Sequence, residues 1–288
     1  MNRRRFLAAA AATGPLAARS SAQSSGAAPA SAPAKGRLKQ AVTRGVFGRN
    51  AQMTMDDMCR EAAARGIVGF DLVGPQAFPT LKKYGLIPTM APGGSSIRDG
   101  INNKAHHDAI EKRLIEAIDA AAQAGAPNVI LLSGERKGMA DAEGADNSVA
   151  FLNKVKARAE DKGVTLCVEL LNSKVNHPDY MCDRTAWGLE VCKRVDSPRV
   201  KLLYDIYHMQ IMEGDVIRTI RDNIKWLGHF HTAGNPGRHE FDETQELNYR
   251  AIATAIADLG FTGYIAHEYT PLKDPMRSLE EAVRICSV

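Results

Sequence analysis

Eight short apolar runs recur along this chain, at residues 40–47, 67–73, 86–91, 129–133, 165–171, 200–206, 227–232 and 264–269. Between them lie segments whose apolar positions return with helical spacing, at 55–64, 107–123, 148–162, 185–195, 215–223, 249–259 and 275–285. In 107–123, Ile110, Leu114, Ile118 and Ala121 share one face, as an amphipathic helix requires. Several helical segments end on glycine just before the next run, at Gly66, Gly85, Gly125, Gly163 and Gly260. Glycine there predicts left-handed C-terminal caps. Eight strands alternating with helices over about 250 residues predict an α/β fold, a single-domain (β/α)₈ TIM barrel. An open doubly wound sheet is the competing architecture. No GxGxxG follows the first run, and no carboxylate marks a ribose site.

A barrel carries its chemistry at the C-terminal ends of its strands, and the late polar residues of this chain fall there. Four consecutive runs end on a side chain able to bind metal: Glu169 after Leu166-Cys167-Val168, Asp205 after Leu202-Leu203-Tyr204, His231 after Gly228-His229-Phe230, and Glu268 after Ala266-His267. A bare carboxylate facing a barrel interior is costly unless it is paired, protonated or metal-bound. Three carboxylates and one imidazole on adjacent strands therefore predict a site for one divalent cation. The oxygen-rich set favours Mn²⁺ or Mg²⁺, and the imidazole also admits Co²⁺ or Zn²⁺. Arg238, in the Gly/Pro loop after the seventh run, is a natural clamp for a carboxylate or for developing negative charge. Glu240 is expected at the substrate, or behind it as a partner of Arg238 or His231. His229 shares the face of His231 one layer deeper and is read as a packed core histidine. His267 and Tyr204 should point out towards the helices. Lys174, Asn176 and Tyr180 follow the fifth run, within reach of a substrate.

Charge changes the picture in one respect. The formal net charge is +4, but Arg3, Arg4, Arg5 and Arg19 lie before the expected signal cleavage point and no acidic residue does, so the remaining chain has 33 basic residues against 33 acidic ones. That balance offers nothing to a nucleic acid or an anionic membrane. The same arginines carry a second message. Arg3-Arg4-Arg5-Phe6-Leu7, an Ala-rich apolar run and Ser20-Ser21-Ala22 resemble a twin-arginine export signal. Residues 1–22 are thus expected to be a signal peptide directing export to a bacterial periplasm, residues 23–36 a disordered linker and residues 37–288 the barrel domain. No later run approaches the ~20 apolar residues of a membrane span. The five cysteines, Cys59, Cys167, Cys182, Cys192 and Cys286, match neither a zinc ribbon nor a CxxC motif and receive no chemistry.

The motifs VELLN, LLYDIYHMQ, GHFHTAGNPGRHEFDETQELNY and AHEYTP resemble those of the hydroxypyruvate isomerase family, within the sugar isomerase/epimerase group of xylose-isomerase-like TIM barrels. The resemblance spans the barrel, and AGNPGRHE followed by ELNY is its most specific part. It implies that Glu169, Asp205, His231 and Glu268 hold one divalent metal, that the two glutamates are the acid/base pair, and that His208 contacts a substrate oxygen. It implies proton transfer through a cis-enediolate, as in the conversion of hydroxypyruvate to tartronate semialdehyde. Hydroxypyruvate isomerases often carry glutamine at the position of His231, whereas histidine is usual in the ketose epimerases of the group. A ketose or keto-sugar 3-epimerase using the same residues is therefore the alternative, and export favours it. An endonuclease-IV-like repair enzyme would need further ligands on early strands and a basic face. The second and third runs end in Asp71-Leu72-Val73-Gly74 and Thr89-Met90-Ala91-Pro92 without a histidine. A non-catalytic sugar-binding barrel would have no use for the glutamate pair. The expected partner is a small hydroxy-carbonyl compound or keto sugar, and a homo-oligomer is open to the chain.

Overall fold

The computed structural model describes residues 36–48 and 52–288. The expected signal peptide and all but the last residue of the expected linker lie outside the described residues.

The strands are β1 (Lys39–Val42), β2 (Gly69–Asp71), β3 (Ile87–Pro92), β4 (Asn128–Leu131), β5 (Thr165–Glu169), β6 (Val200–Asp205), β7 (Leu227–Thr232) and β8 (Tyr264–His267). All neighbours pair in parallel, and β1 pairs with β8 to close the barrel. β4 and β5 are buried at every position, because a parallel sheet has one face inside the barrel and the other under helices. The described helices are α1 (Met55–Ala64), α2 (Phe78–Lys83), α3 (His107–Ala124), α4 (Asp141–Lys162), α5 (Thr185–Val195), α6 (Ile206–Met212), α7 (Val216–Asn223), α8 (Tyr249–Asp258) and α9 (Pro275–Cys286). Among the described residues, no helix is long and apolar enough to cross a membrane. Gly125 (φ 72°) and Gly163 (φ 69°) cap α3 and α4 in the left-handed region, where a side chain is strained.

Three departures from the sequence expectation have local causes. The first run stays extended only to Val42. Residues Arg44–Phe47 form a 3₁₀ turn instead, which buries Phe47 against Phe70 with ring centroids 5.8 Å apart. The sixth run stops at Asp205, whose side chain accepts the N–H of His208 at 3.0 Å and so starts α6, an N-cap that ends the strand. Helix α4 begins at Asp141, well before residue 148. Its first turns have little apolar stripe and depend on tertiary contacts. Gly144 packs so closely that a Cβ would meet Met181 Sδ at 2.0 Å, and Asn147 donates to the carbonyl of Asn102 at 2.8 Å.

The barrel interior is layered. Met90, Ile130, Cys167 and Leu203 form a small buried apolar cluster separate from the main core. Cys167 and Leu203 lie two residues before Glu169 and Asp205, so alternation sets those carboxylates one layer above this plug. All five cysteines are buried and free.

Candidate metal centre and active site

Parallel register brings the strand ends together. Glu169 is opposite Leu203, Asp205 is opposite His231, and His231 is opposite Ala266. Glu268 follows β8 and is held by its N–H to the carbonyl of Thr232, 2.9 Å away. One donor atom each from Glu169, Asp205, His231 and Glu268 lies within 4.8 Å of the other three. The first three are 6%, 1% and 0% exposed. Glu268 keeps 20% of its side chain open to the cavity. That cavity, about 560 Å³, is lined by Thr43, Arg44, Asp71, Arg238, Glu268 and neighbouring residues.

These residues fit a divalent ion. Asp205 Oδ2 and His231 Nδ1 are buried without a hydrogen-bond partner, an exception that calls for an explanation. Asp205 Oδ1 is occupied by the cap of α6, which leaves Oδ2 for the centre. His231 Nδ1 lies 3.2 Å from Glu169 Oε1 and 2.9 Å from Glu268 Oε2 and hydrogen-bonds to neither. Three carboxylate oxygens and one imidazole nitrogen, converging, are a ligand set for Mn²⁺, Mg²⁺, Co²⁺ or Zn²⁺.

The electrostatics follow from crowding. Burial pushes Glu169 up, against the pull of His231. Burial likewise raises Asp205 to about 7, although Arg238 opposes it. For Glu268 burial is outweighed by His231 and Arg238, which hold it at about 2. His231 stays protonated well above its ordinary range because Glu268, Asp71 and Glu169 overcome its burial. Binding a metal at Nδ1 would therefore displace a proton.

Arg238 (φ 60°) follows Gly237 (φ 94°) in the loop after β7, and the loop returns it to the centre. Its Nη2 lies 2.7 Å from Glu268 Oε2 and 3.7 Å from Asp205 Oδ2, over the ring of Tyr207. The segments AGNPGRHE and ELNY are tied to each other: the Tyr249 hydroxyl donates to the carbonyl of Ala233 at 2.6 Å and accepts its N–H at 3.0 Å. His208 Nδ1 accepts from the main-chain N–H of Asn172 at 3.0 Å, and Nε2 is buried and unpartnered, 3.7 Å from Asp205 Oδ2. With Nδ1 accepting, the ring proton sits on Nε2.

Other candidates have different tasks. Glu240 does not reach Arg238 or His231. Its carboxylate accepts the N–H groups of Leu272 and Lys273 at 2.9 and 2.8 Å and so ties two loops together. Lys174 donates to the carbonyls of Ile211 and Met212 at the end of α6, Asn176 accepts from Asn172 and Tyr207, and Tyr180 is fully buried. His267 faces outward as expected, bonded to Gln40 and Thr232. Asp71 is the residue that sequence reasoning missed. It ends an apolar strand as Glu169 and Asp205 do, but β2 lies far from β5–β8 along the chain, and no local pattern links it to His231. Its carboxylate accepts from both His229 and His231, so His229 is hydrogen-bonded as well as packed.

The family model described as xylose isomerase-like TIM barrel matches residues 79–286. The 2-oxo-tetronate isomerase of Cupriavidus necator is 36% identical over 135 residues, 46% of this chain and 51% of that protein. A Danio rerio protein provisionally named hydroxypyruvate isomerase is 33% identical over 133 residues, 45% of this chain and 48% of its own. The match thus spans about half the length of each relative. The solved structure of an AP endonuclease, family 2, from Brucella melitensis superposes with a TM-score of 0.76 at 22% identity, covering 84% of this chain and 96% of that one. At that identity the likeness speaks for the fold alone.

Proposed function

This chain belongs to the xylose isomerase-like TIM barrel family, and we propose that it is a divalent-metal-dependent isomerase of small hydroxy-carbonyl acids, of the hydroxypyruvate or 2-oxo-tetronate type. The observation that carries the reading is the convergence of Glu169, Asp205, His231 and Glu268, with donor atoms within 4.8 Å of one another. The names of the curated relatives support the substrate class.

A divalent ion held by these four residues would polarise the substrate carbonyl and acidify the neighbouring C–H. One of Glu169 and Glu268 takes that proton and the other returns one to the adjacent carbon. His208 Nε2 donates to a substrate oxygen, and Arg238 neutralises the substrate carboxylate or the charge that develops as the proton leaves.

His231 itself favours a second reading, a ketose or keto-sugar epimerase. The same two glutamates would act on opposite faces of one carbon. Export through the twin-arginine route, into a periplasm, is the proposal for the N-terminus, supported by Arg3-Arg4-Arg5-Phe6-Leu7 and the Ala-rich run. Fusing residues 1–36 to a reporter and replacing Arg4 and Arg5 by Lys tests it, with the reporter expected to stay in the cytoplasm.

The deciding experiment is solvent-deuterium incorporation by Mn²⁺-loaded protein with hydroxypyruvate, 2-oxo-tetronate and a panel of ketoses, alongside Glu169→Gln and Glu268→Gln. Exchange into an acid, abolished in both variants, is expected. Exchange into ketoses alone moves the assignment to the epimerase. No exchange with any of them, despite metal binding, overturns both readings.

A further inference from the structure

We infer that Asp71 is a positioning residue of the metal centre, fixing His231 so that Nδ1 alone is presented to the ion. The inference rests on the metal-dependent reading above. Asp71 ends β2 and His231 lies on β7, 160 residues away, and they meet across the barrel interior, both fully buried. Asp71 Oδ2 accepts from His231 Nε2 at 2.9 Å and from His229 Nε2 at 2.6 Å. A carboxylate can only accept, so each imidazole must carry its proton on Nε2. For His231, Nδ1 is then the nitrogen whose lone pair an ion can take once its proton is displaced, and it faces the side where Glu169 and Glu268 lie. A metal-bound histidine whose second nitrogen donates to a carboxylate is held in one tautomer and one ring orientation, and its basicity is raised.

The brace is itself braced. Thr89 Oγ donates to Asp71 Oδ1. His229 Nδ1 faces Asn128 Nδ2 at 3.4 Å, and that amide also donates to the carbonyl of Thr89 at 3.0 Å. Residues from β2, β3, β4 and β7 thus form one hydrogen-bonded layer under the ligands. His229 shares the carboxylate but lies two residues deeper and carries no free nitrogen towards the centre, so its part is to hold Asp71. Asp71, His229 and His231 also lie close enough together to hold an ion among themselves, an arrangement that stoichiometry separates from bracing.

The test is Co²⁺ titration of the metal-free full chain, followed by calorimetry and visible absorption, for wild type, Asp71→Asn and His229→Gln. Thermal unfolding of each metal-free protein runs alongside. The expected result is one ion per chain in wild type. Asp71→Asn should bind about 10–100-fold more weakly with a changed absorption spectrum. His229→Gln loosens Asp71 without removing its carboxylate and should weaken binding less than Asp71→Asn does; a larger loss in His229→Gln than in Asp71→Asn overturns the inference. Should Asp71→Asn fail to fold, Asp71→Glu carries the same measurement, because the longer carboxylate keeps the charge while misplacing the imidazole. Asp71 variants that unfold earlier yet bind one Co²⁺ as tightly as wild type, with its spectrum, overturn the inference alone. Two ions in wild type and one in the variant make Asp71 a ligand and overturn it too. A wild type that binds no divalent ion overturns the metal-dependent reading, and the inference falls with it.

Discussion

The hydroxyl of Tyr180 donates to the main-chain carbonyl of Glu169 at 3.0 Å and accepts the N–H of Ser133 at the same distance. A single buried oxygen thereby ties the end of β5 to the chain just beyond β4, and it sets where the Glu169 side chain begins. Tyr180→Phe removes the hydroxyl and leaves a buried N–H and carbonyl without it. The expected loss is about 1–3 kcal/mol of stability, read by urea unfolding. A fall in kcat/KM should accompany it, because Glu169 then starts from a looser strand end.

Arg238 makes its closest ion pair with Glu268, at 2.7 Å. Arg238→Lys keeps the charge but loses the planar fork. For an acidic substrate kcat/KM should drop by about 10–100-fold, the range of a lost charge-assisted hydrogen bond. Steady-state kinetics on an acid and on a neutral ketose checks this: an equal drop on both would remove the carboxylate from the task of Arg238.

Glu240 has been given to the scaffold by its contacts with Leu272 and Lys273. Glu240→Ala should lower stability by about 1–3 kcal/mol through the freed N–H groups while leaving Co²⁺ affinity unchanged. A weakened metal affinity at unchanged thermal stability would return Glu240 to the site.

Stability should also respond to pH through His107, which is buried and bonded through Nε2 to the carbonyl of Ile101 at 2.9 Å. Burial lowers its pKa from the ordinary value of 6.5. Below that value the unfolded chain takes up a proton that the folded chain resists. Stability from this group is therefore complete above 6.5 and declines as pH falls, until the lowered folded pKa is reached. The slope is at most about 1.4 kcal/mol per pH unit. Unfolding free energies between pH 5 and 7 should show a shallower slope in His107→Gln than in wild type.

Ion binding to the native state alone raises thermal stability by mass action. At a hundred times the Kd, Mn²⁺ should add about 2.7 kcal/mol, seen as a rise in Tm that EDTA reverses. Glu268→Gln should reduce the rise, since it removes a ligand charge without emptying the core.

The amino-acid sequence by itself determined the repeating strand and helix pattern, the glycine caps such as Gly125 and Gly163, and the four candidate ligand positions at the ends of β5–β8. Each of these is written locally. An apolar run, a helical stripe or a polar residue closing a strand needs only its neighbours to be seen, and a barrel puts every strand end on one face. Helix α6 hid because Asp205 acts as ligand candidate and N-cap at once, one carboxylate oxygen for each role. Only the tertiary structure decided that Asp71 braces His231 across the barrel, that Arg238 returns to Glu268, and that Glu240 turns to Leu272 and Lys273. Those choices depend on closure of the sheet and on loop paths, which bring together groups as far apart as 160 residues. In a buried interior, a polar group takes the partner that closure puts within hydrogen-bond distance, and no local pattern names that partner.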